Sequence, residues 1–365
     1  MRSTFDELEK ELNELRDLVA SISPVNSALA GHQDSLVRQY VRIRRRFDYA
    51  AFVVALYASF EKFIENLIVA YVRLETGRVE YAALPPKLVK KHISRTAEIL
   101  SRGRLGEGRY ASLRELDVVK NLFECLSGAT PYTLNEAAVV AHDFNLHRGE
   151  IDTLFAAVGI DKVCDRARRV DALLDWYCAA KELDAVPQDE VPAATVEERL
   201  KDVVERRNQV AHRGGNPVDL LGADAMGDTL NFIEAFSKSV FALVVGRYLK
   251  DHHATPGQGI ELSQRRDDGP YMSGTVVVVE KPTQRLFVGQ PVFVIVDPTF
   301  ARWGRIQSMR VDDTDVQAVE PDAPAASGIG IGLDFKCPRS AALVALASDD
   351  DVAWSPPVME NAPAV

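Results

Sequence analysis

The sequence predicts a mainly α-helical bundle followed by a small β-rich C-terminal domain. Up to residue 252, apolar residues recur mostly at steps of three and four, which is the spacing of one helix face. Between residues 271 and 348, β-branched residues dominate short segments that are separated by Gly, Pro and Asp. The chain has 365 residues, which is enough for one large core and a smaller second one.

Four segments are predicted along the chain. Residues 1–252 form the helical domain, with an N-terminal helix at 4–21 as an extension. Residues 253–270 are rich in Gly, Pro and charge and are predicted to be a linker. Residues 271–348 form the β-rich domain, and the acidic, Pro-containing residues 349–365 are expected to form a flexible tail.

Two helices are predicted at the start of the helical domain. The first, at 4–21, has one apolar face, and Pro24 is expected to end it. That face consists of Phe5, Leu8, Leu12, Leu15 and Val19. The second runs from residue 35 to residue 76, with Gly77 as its stop signal. Because it is apolar on several sides, it belongs in the middle of the bundle.

Further helices are predicted along the rest of this domain. One begins at Pro85-Pro86, and three more cover 112–127, 149–158 and 162–183. Another begins near Thr195, and the last covers 217–250. Thr195 and Glu198 have the spacing of a capping box at a helix N-terminus. Between these helices, residues 129–145 have weak periodicity and are predicted to be a connecting or ligand-facing segment.

Short strands are predicted in the C-terminal domain, where they form a small sheet or barrel. They cover 275–279, 292–296, 305–309, 316–319, 329–333 and 341–346. Two interpretations are possible for the aromatic residues Phe300 and Trp303 and the nearby Arg302 and Arg305. They stack on nucleic-acid bases, or the rings pack in the core while the arginines lie at the surface, which is the favoured interpretation.

The charge distribution leaves two interpretations open. The formal net charge is −10, which is unfavourable for binding nucleic acid as a whole. Locally, however, five arginines and no acid lie between Arg38 and Arg46. Between Lys87 and Arg114 there are eight basic residues and two acidic ones. These runs are either solvated helix faces or surfaces that follow an RNA backbone.

The chain is predicted to be a soluble cytoplasmic protein. The N-terminus is acidic where a secretory signal would be basic. The longest apolar stretch, 49–71, contains Glu61, Lys62 and Glu65, so no membrane span is expected. The cysteines form no CxxC pair, which argues against a zinc framework and favours a reducing compartment. They are Cys125, Cys164, Cys178 and Cys337.

No metal site and no cofactor are predicted. His142 and His147 are five residues apart in the weakly periodic segment, which is a spacing that a metal site could use. No carboxylate or cysteine cluster accompanies them closely in the sequence, so they are not assigned to a metal.

The segment from 205 to 214 contains the strongest candidate for chemistry. Arg207, Asn208 and His212 combine a permanent cation, a carboxamide and an imidazole. Asn208 and His212 are four residues apart and share one helix face, whereas Arg207 and His212 are about 140° apart, an angle that a long arginine spans. A single histidine near a helix C-terminus is, alternatively, only a favourable charge at the helix dipole.

These residue types suit the cleavage of RNA without a metal ion. RNA cleaves itself when its 2′-hydroxyl is deprotonated and the charge on the phosphorane is neutralised. His212 is the predicted general base or acid, Arg207 stabilises the pentavalent phosphate, and Asn208 orients the phosphate or the imidazole. The products are a 2′,3′-cyclic phosphate and a 5′-hydroxyl.

The motif resembles one in a known family. Arg-Asn-x-x-x-His followed by Arg-Gly-Gly is similar to the Arg-x4–6-His motif of the HEPN superfamily, particularly of its prokaryotic toxin-like ribonucleases. The helical region 35–250 also resembles that family, including its Phe60-Glu61-Lys62-Phe63 segment. With a β-rich C-terminal extension, the layout is similar to the RiboL-PSP-HEPN subgroup. The resemblance implies a HEPN-type bundle.

The resemblance also implies partners and a biological role. Two protomers would pair so that both motifs face one cleft, and an antitoxin or sensor protein would control cleavage of the RNA substrate in a toxin–antitoxin or phage-defence system. Glu61 is a candidate catalytic-site acid, or it is paired with Arg44, Arg45 or Arg46. The alternative function is a catalytically inactive HEPN module that binds RNA, a nucleotide or a protein partner.

Overall fold

A computed structural model describes most of the chain. It covers 1–102, 105–107, 110–184, 189–212, 219–254, 259–261, 264–265, 269–280, 282, 284–297, 300–321, 328–338 and 343–346. The description is limited to the backbone at 212, 259–261, 264–265, 297, 300 and 346. The predicted tail, 349–365, lies outside the described residues.

The N-terminal two thirds of the chain are helical, as predicted. The helices are α1 (Arg2–Ala30), α2 (Ser35–Thr76), α3 (Pro86–Ser101), α4 (Glu115–Ser127), α5 (Glu136–Val139), α6 (Arg148–Ala157), α7 (Val163–Ala167), α8 (Asp171–Lys181), α9 (Ala193–His212) and α10 (Ala223–His253). The bounds of α2 match the prediction. Its N-terminus is capped by Asp34, which accepts a hydrogen bond from Leu36 N, and the N–H of Gly77 bonds to Arg73 O at its C-terminus.

The first helix is longer than predicted. It continues through Pro24 to Ala30, beyond the predicted end at residue 21. A proline ring fixes φ near −65°, which is a helical value, but it removes the hydrogen bond to the carbonyl four residues earlier and crowds that carbonyl. That residue, Ala20, is exposed, and water can therefore hydrate its carbonyl.

The single helix predicted at 162–183 is wrong, because α7 and α8 are separate. Arg168 and Val191 exchange hydrogen bonds at this break: Val191 N donates to Arg168 O over 3.0 Å, and Arg168 Nε donates to Val191 O over 2.6 Å. The carbonyl of Arg168 thus accepts a hydrogen bond from Val191 and not from a residue of a continuing helix. The cap prediction for Thr195 is also wrong, since α9 begins two residues earlier and Thr195 N bonds to Pro192 O.

The chain divides into two compact units, and the boundary falls inside α10. The first unit is Ser3–Phe241, whose core surrounds α2. In this core, the ring of Phe5 stacks on Phe241 with centroids 5.0 Å apart, and Phe60 meets Phe236 edge to face at 6.1 Å. Each such ring contributes roughly 1.5–3 kcal/mol through burial. The central position predicted for α2 is therefore confirmed.

The second unit contains the end of α10 and an antiparallel sheet. The strands are β1 (Gly259–Glu261), β2 (Gln264–Arg265), β3 (Val276–Glu280), β4 (Leu286–Phe287), β5 (Pro291–Asp297), β6 (Phe300–Val311), β7 (Thr314–Val316), β8 (Ala318–Val319), β9 (Ile329–Leu333) and β10 (Leu343–Leu346). Their order is β1-β10-β5-β6-β9-β3-β2, with β7 beside β6 and a separate β4-β8 pair. Residues 253–270, predicted as a linker, thus contain β1 and β2. Their strand structure comes from pairing with β10 and β3, which local composition does not reveal.

The sheet approaches α10 closely at one glycine. A Cβ on Gly246 would lie 2.5 Å from Ala301 O, so no larger residue fits there without movement. Nearby, Trp303 Nε1 donates to Ala242 O over 3.4 Å, and Arg305 Nη1 donates to Gly289 O over 2.6 Å. These contacts favour packing for Trp303 over a free stacking surface.

Within the described residues, α10 is the helix that is long and apolar enough to cross a membrane. However, 78% of its most apolar stretch is buried inside the protein. Such burial is typical of the core helix of a soluble protein.

Candidate functional site

The candidate motif lies at the end of α9. The inward face of this helix is held by Val203, Val204 and Val210, which are buried in the core. The backbone of His212 forms the last helical residue, but its side chain lies outside the described residues, as do residues 213–218. The position of the predicted imidazole is therefore not assigned. The geometry of the site rests on Arg207 and Asn208.

The neighbouring Arg206 has a structural environment. Its Nε donates to Asp202 Oδ2 over 2.8 Å, and its Nη1 donates to Tyr49 Oη over 3.1 Å. Tyr49 is completely buried, so this hydrogen bond satisfies a phenol that water does not reach. Arg206 therefore fixes α9 against α2.

The environment of Arg207 is different. Its guanidinium carbon lies 5.3 Å from the centre of the Tyr57 ring, and its Nη1 donates to Asn208 Oδ1 over 3.2 Å. Within the described residues, its partners are this aromatic face and this amide, with no carboxylate among them. The ring and the amide orient the charge of Arg207, and no described residue neutralises it, as an anion-binding group requires.

A second asparagine holds Asn208 in place. Asn145 Nδ2 donates to Asn208 Oδ1 over 2.9 Å, so this oxygen accepts from both Asn145 and Arg207. Asn145 belongs to the connection between α5 and α6. Its Oδ1 lies 3.4 Å from the hydroxyl of Tyr57. The motif on α9 is thus joined to α2 through a residue that the motif does not contain.

Tyr57 joins this network to Glu61. Its hydroxyl donates to Glu61 Oε1 over 3.0 Å and accepts from Leu146 N over 3.1 Å. Burial and the nearby Glu61 raise the pKa of Tyr57 well above its ordinary value of 10.0. The phenol therefore stays protonated and acts as a hydrogen-bond donor. Through it, Glu61 is connected to the motif without contacting Arg207 directly.

His142 lies beside the same carboxylates. Its Nε2 is 3.0 Å from Glu65 Oε1 and 3.7 Å from Glu61 Oε1, and its Nδ1 is 2.7 Å from Phe144 O. Both ring nitrogens face acceptors, an arrangement that favours the doubly protonated imidazolium. The hydrogen bond to Glu65 raises the pKa of His142, although burial opposes the shift. A doubly protonated ring is a positive anchor and not a general base.

The structure brings together some of the predicted residues and adds others. Arg207, Asn208 and Glu61 share one hydrogen-bonded network, whereas Arg44 pairs with Asp48 and not with Glu61. Sequence reasoning missed several members of this network, namely Tyr57, Glu65, His142 and Asn145. The signal was present in part, because residues 129–145 were predicted to be connecting or ligand-facing.

The sequence also failed to show that carboxylates accompany His142. They come from α2 and are 77 residues away in the case of Glu65. Among the described residues there is nevertheless no group of three ligands that could hold a metal ion. In the second basic run, Arg95 is bound by Glu98 and Asp143, so part of that charge is neutralised within the protein.

Comparison of the sequence with known protein families identifies one family that matches most of the helical region. No curated protein matches the chain. The RiboL-PSP-HEPN family matches residues 6–245, which is about two thirds of the chain and includes α2 and the whole motif on α9. This family indicates a nuclease or other RNA-related function. The mainly helical fold and the match together identify the chain: it belongs to the RiboL-PSP-HEPN family of the HEPN superfamily.

Proposed function

We propose that this protein is a metal-independent endoribonuclease that leaves 2′,3′-cyclic phosphate and 5′-hydroxyl ends. One observation carries the proposal. Arg207 presents a guanidinium that is oriented by Tyr57 and Asn208 and that has no carboxylate partner among the described residues. Such a group suits a phosphate whose negative charge increases during the reaction.

In the proposed reaction, the 2′-oxygen of a ribose attacks the adjacent phosphorus, and the bond from phosphorus to the 5′-oxygen of the next nucleotide breaks. A base removes the 2′-hydroxyl proton and an acid returns a proton to the leaving oxygen, so no co-reactant is consumed. His212 is assigned to this proton transfer. Arg207 stabilises the phosphorane, and Asn208 orients the phosphate.

Glu61 has an indirect role in this proposal. Its carboxylate accepts from the hydroxyl of Tyr57, and the ring of Tyr57 lies under Arg207. Glu61 thus holds the ring that orients the guanidinium. It is a positioning residue in this assignment.

We further propose that the enzyme is a cytoplasmic homodimer with both motifs facing one cleft, and that an antitoxin or a sensor protein restrains it in a toxin–antitoxin or phage-defence system. The support is the family to which the chain belongs. Sedimentation velocity tests the dimer directly, because a particle with the mass of one chain would contradict it. Growth arrest on expression, relieved by Arg207→Ala, tests the toxic role.

The central experiment is incubation of the purified protein with total RNA in excess EDTA. Fragments with 5′-hydroxyl ends are expected, and His212→Ala is expected to reduce their rate of formation by at least about a hundredfold. His252→Ala is the matched control, since His252 also lies in the last turn of a helix, and it should retain activity. RNA that remains intact with the unmodified protein would contradict the proposal and favour the inactive binding module.

A further inference from the structure

The connection between α5 and α6 contains the segment His142–His147, here called the 142–147 loop. It lines an open cavity of about 370 Å³ through His142, Asp143, Phe144, Asn145 and His147. This volume lies within the roughly 300–1,000 Å³ of typical ligand pockets. The cavity adjoins the motif, because Asn145 in its wall bonds to Asn208.

Helices α2 and α3 hold the first part of this loop. His142 Nε2 donates to Glu65 Oε1 of α2 over 3.0 Å. The carboxylate of Asp143 accepts from Arg95 of α3, including a bond of 3.1 Å from Nη1 to Oδ1. Two charged contacts therefore fix the start of the loop to different helices.

The second part of the loop is held equally firmly. Asn145 Nδ2 donates to Asn208 Oδ1 of α9 over 2.9 Å. Leu146 is completely buried, and its backbone N–H donates to Tyr57 Oη over 3.1 Å. The loop is thus anchored on both sides of its central residue.

That central residue, Phe144, points its ring into solvent. The side chain is 71% exposed, although its carbonyl oxygen is fixed by a 2.7 Å hydrogen bond from His142 Nδ1. An exposed aromatic ring does not gain the free energy of burial, and the anchored loop also restricts its movement. Single exposed apolar residues are common on protein surfaces, but this one lies on a loop whose Asn145 bonds to the motif.

We infer that the 142–147 loop is the nucleobase subsite of the enzyme, in which the ring of Phe144 stacks on an unpaired base next to the phosphate held by Arg207 and Asn208. The inference rests on the proposed function and names its substrate class as single-stranded RNA. Bases in a duplex are already stacked on their neighbours, whereas unpaired bases are free to stack on aromatic side chains. A phenyl face accepts any base, so this contact supplies affinity with little sequence preference.

Binding is measured with a fluorescein-labelled, fully 2′-O-methylated RNA oligonucleotide of mixed sequence, which cannot be cleaved because its 2′-hydroxyls are blocked. Phe144→Ala is expected to weaken binding about 5- to 150-fold in fluorescence anisotropy. Phe144→Leu keeps an apolar side chain without an aromatic face and should behave like Ala, whereas Phe144→Trp should preserve affinity. Since no phosphate contact is lost, the salt dependence of the dissociation constant should not change.

The matched control is Phe123→Ala, because Phe123 is 68% exposed but lies on α4. It should bind the probe as tightly as the unmodified protein. Unchanged binding by Phe144→Ala, equal losses in both variants, or no binding of the probe by the unmodified protein would each overturn the inference.

The same variants separate this inference from the proposed function. Cleavage of unmodified RNA that is insensitive to Phe144→Ala would preserve the nuclease and overturn the subsite. Binding that depends on Phe144, with no cleavage by any variant, would preserve the subsite and overturn the nuclease.

Discussion

The side-chain amide of Asn145 donates to Asn208 Oδ1 over 2.9 Å, joining two carboxamides that are 63 residues apart in the chain. Arg207 donates to the same oxygen. Because both donors use Oδ1, the Nδ2 group of Asn208 is directed away from them. In the proposed reaction, this amide group is the donor that Asn208 offers to a phosphate oxygen.

The first prediction concerns this bond. Asn145→Ala should reduce RNA cleavage about 2- to 10-fold, the effect of losing one orienting hydrogen bond. Asn145→Asp should reduce it further, because a carboxylate would face Asn208 Oδ1 and repel both that oxygen and the substrate. Initial rates with a fluorescent RNA measure the effect. Equal rates for the two variants would contradict the proposed orientation.

The second prediction separates two adjacent arginines. Arg207→Ala should lower cleavage at least about a hundredfold, as the loss of a charge-stabilising donor does, while the free energy of unfolding changes by no more than about 1 kcal/mol. Arg206→Ala should do the reverse, with a loss of about 1–3 kcal/mol because the buried Tyr49 hydroxyl loses its partner. Urea unfolding and cleavage assays on both variants provide the measurement. Similar effects in the two variants would invalidate the assignment.

The third prediction concerns His142 and alkaline pH. Its folded-state pKa is raised by Glu65, so its stabilising contribution is complete below the unfolded-state value of 6.5 and is lost as pH rises through the folded value. Glu61 also faces the ring, while the adjacent Asp143 is held by Arg95. The difference in unfolding free energy between the protein and His142→Ala should shrink with rising pH. A constant difference would contradict an imidazolium anchor.

The fourth prediction has the opposite sign. His92 is completely buried, and burial lowers its pKa from 6.5 to about 4. Its Nε2 accepts from Asn135 N over 2.9 Å, and its Nδ1 is 3.0 Å from Tyr81 Oη, so the ring is neutral. Between these pH values the unfolded chain binds a proton that the native chain does not bind. Acidification should therefore remove up to about 3 kcal/mol of stability.

Urea unfolding at several pH values tests this loss. His92→Gln is the matched variant, because glutamine keeps an acceptor and a donor but does not titrate. Parallel pH curves for the two proteins would show that His92 is not responsible.

The fifth prediction compares two glycines of α10. Gly246→Ala should destabilise the protein by about 1–3 kcal/mol, because the new Cβ would meet Ala301 O at 2.5 Å. No atom lies within 4 Å of a Cβ placed on Gly227. Gly227→Ala should therefore stabilise the protein by about 0.5–1 kcal/mol, since alanine favours the helix. Thermal unfolding of the two variants should shift in opposite directions. Shifts of the same sign would contradict the close approach at Gly246.

Elements whose limits depend on local signals could be predicted from the sequence. The ends of α2 agree with prediction: Gly77 predicted its C-terminal end, and the structure adds Asp34 as the N-terminal cap within one turn of the helix. The α7–α8 break could not be predicted in this way. It depends on the bonds between Arg168 and Val191, which are 23 residues apart.

The same distinction applies to the candidate site. Arg207 and Asn208 could be found because their motif is contiguous in the sequence. Tyr57, Asn145 and His142 could not, because folding alone brings a helix near the N-terminus and a weakly periodic connection to the end of α9. The sequence singled out His142 only for its spacing from His147, and no local pattern connected Tyr57 or Asn145 with the motif.

The two terminal strands of the long sheet path, β1 and β2, are also consecutive in the chain, with Glu261 and Gln264 only three positions apart. Three residues span at most about 11 Å, so the sheet must curl until its two borders come near each other. A proteolytic cut or a deletion between Glu261 and Gln264 would remove the link that holds these two border strands close to each other. Unpaired backbone groups would then become available to other chains, and self-association would be the expected result.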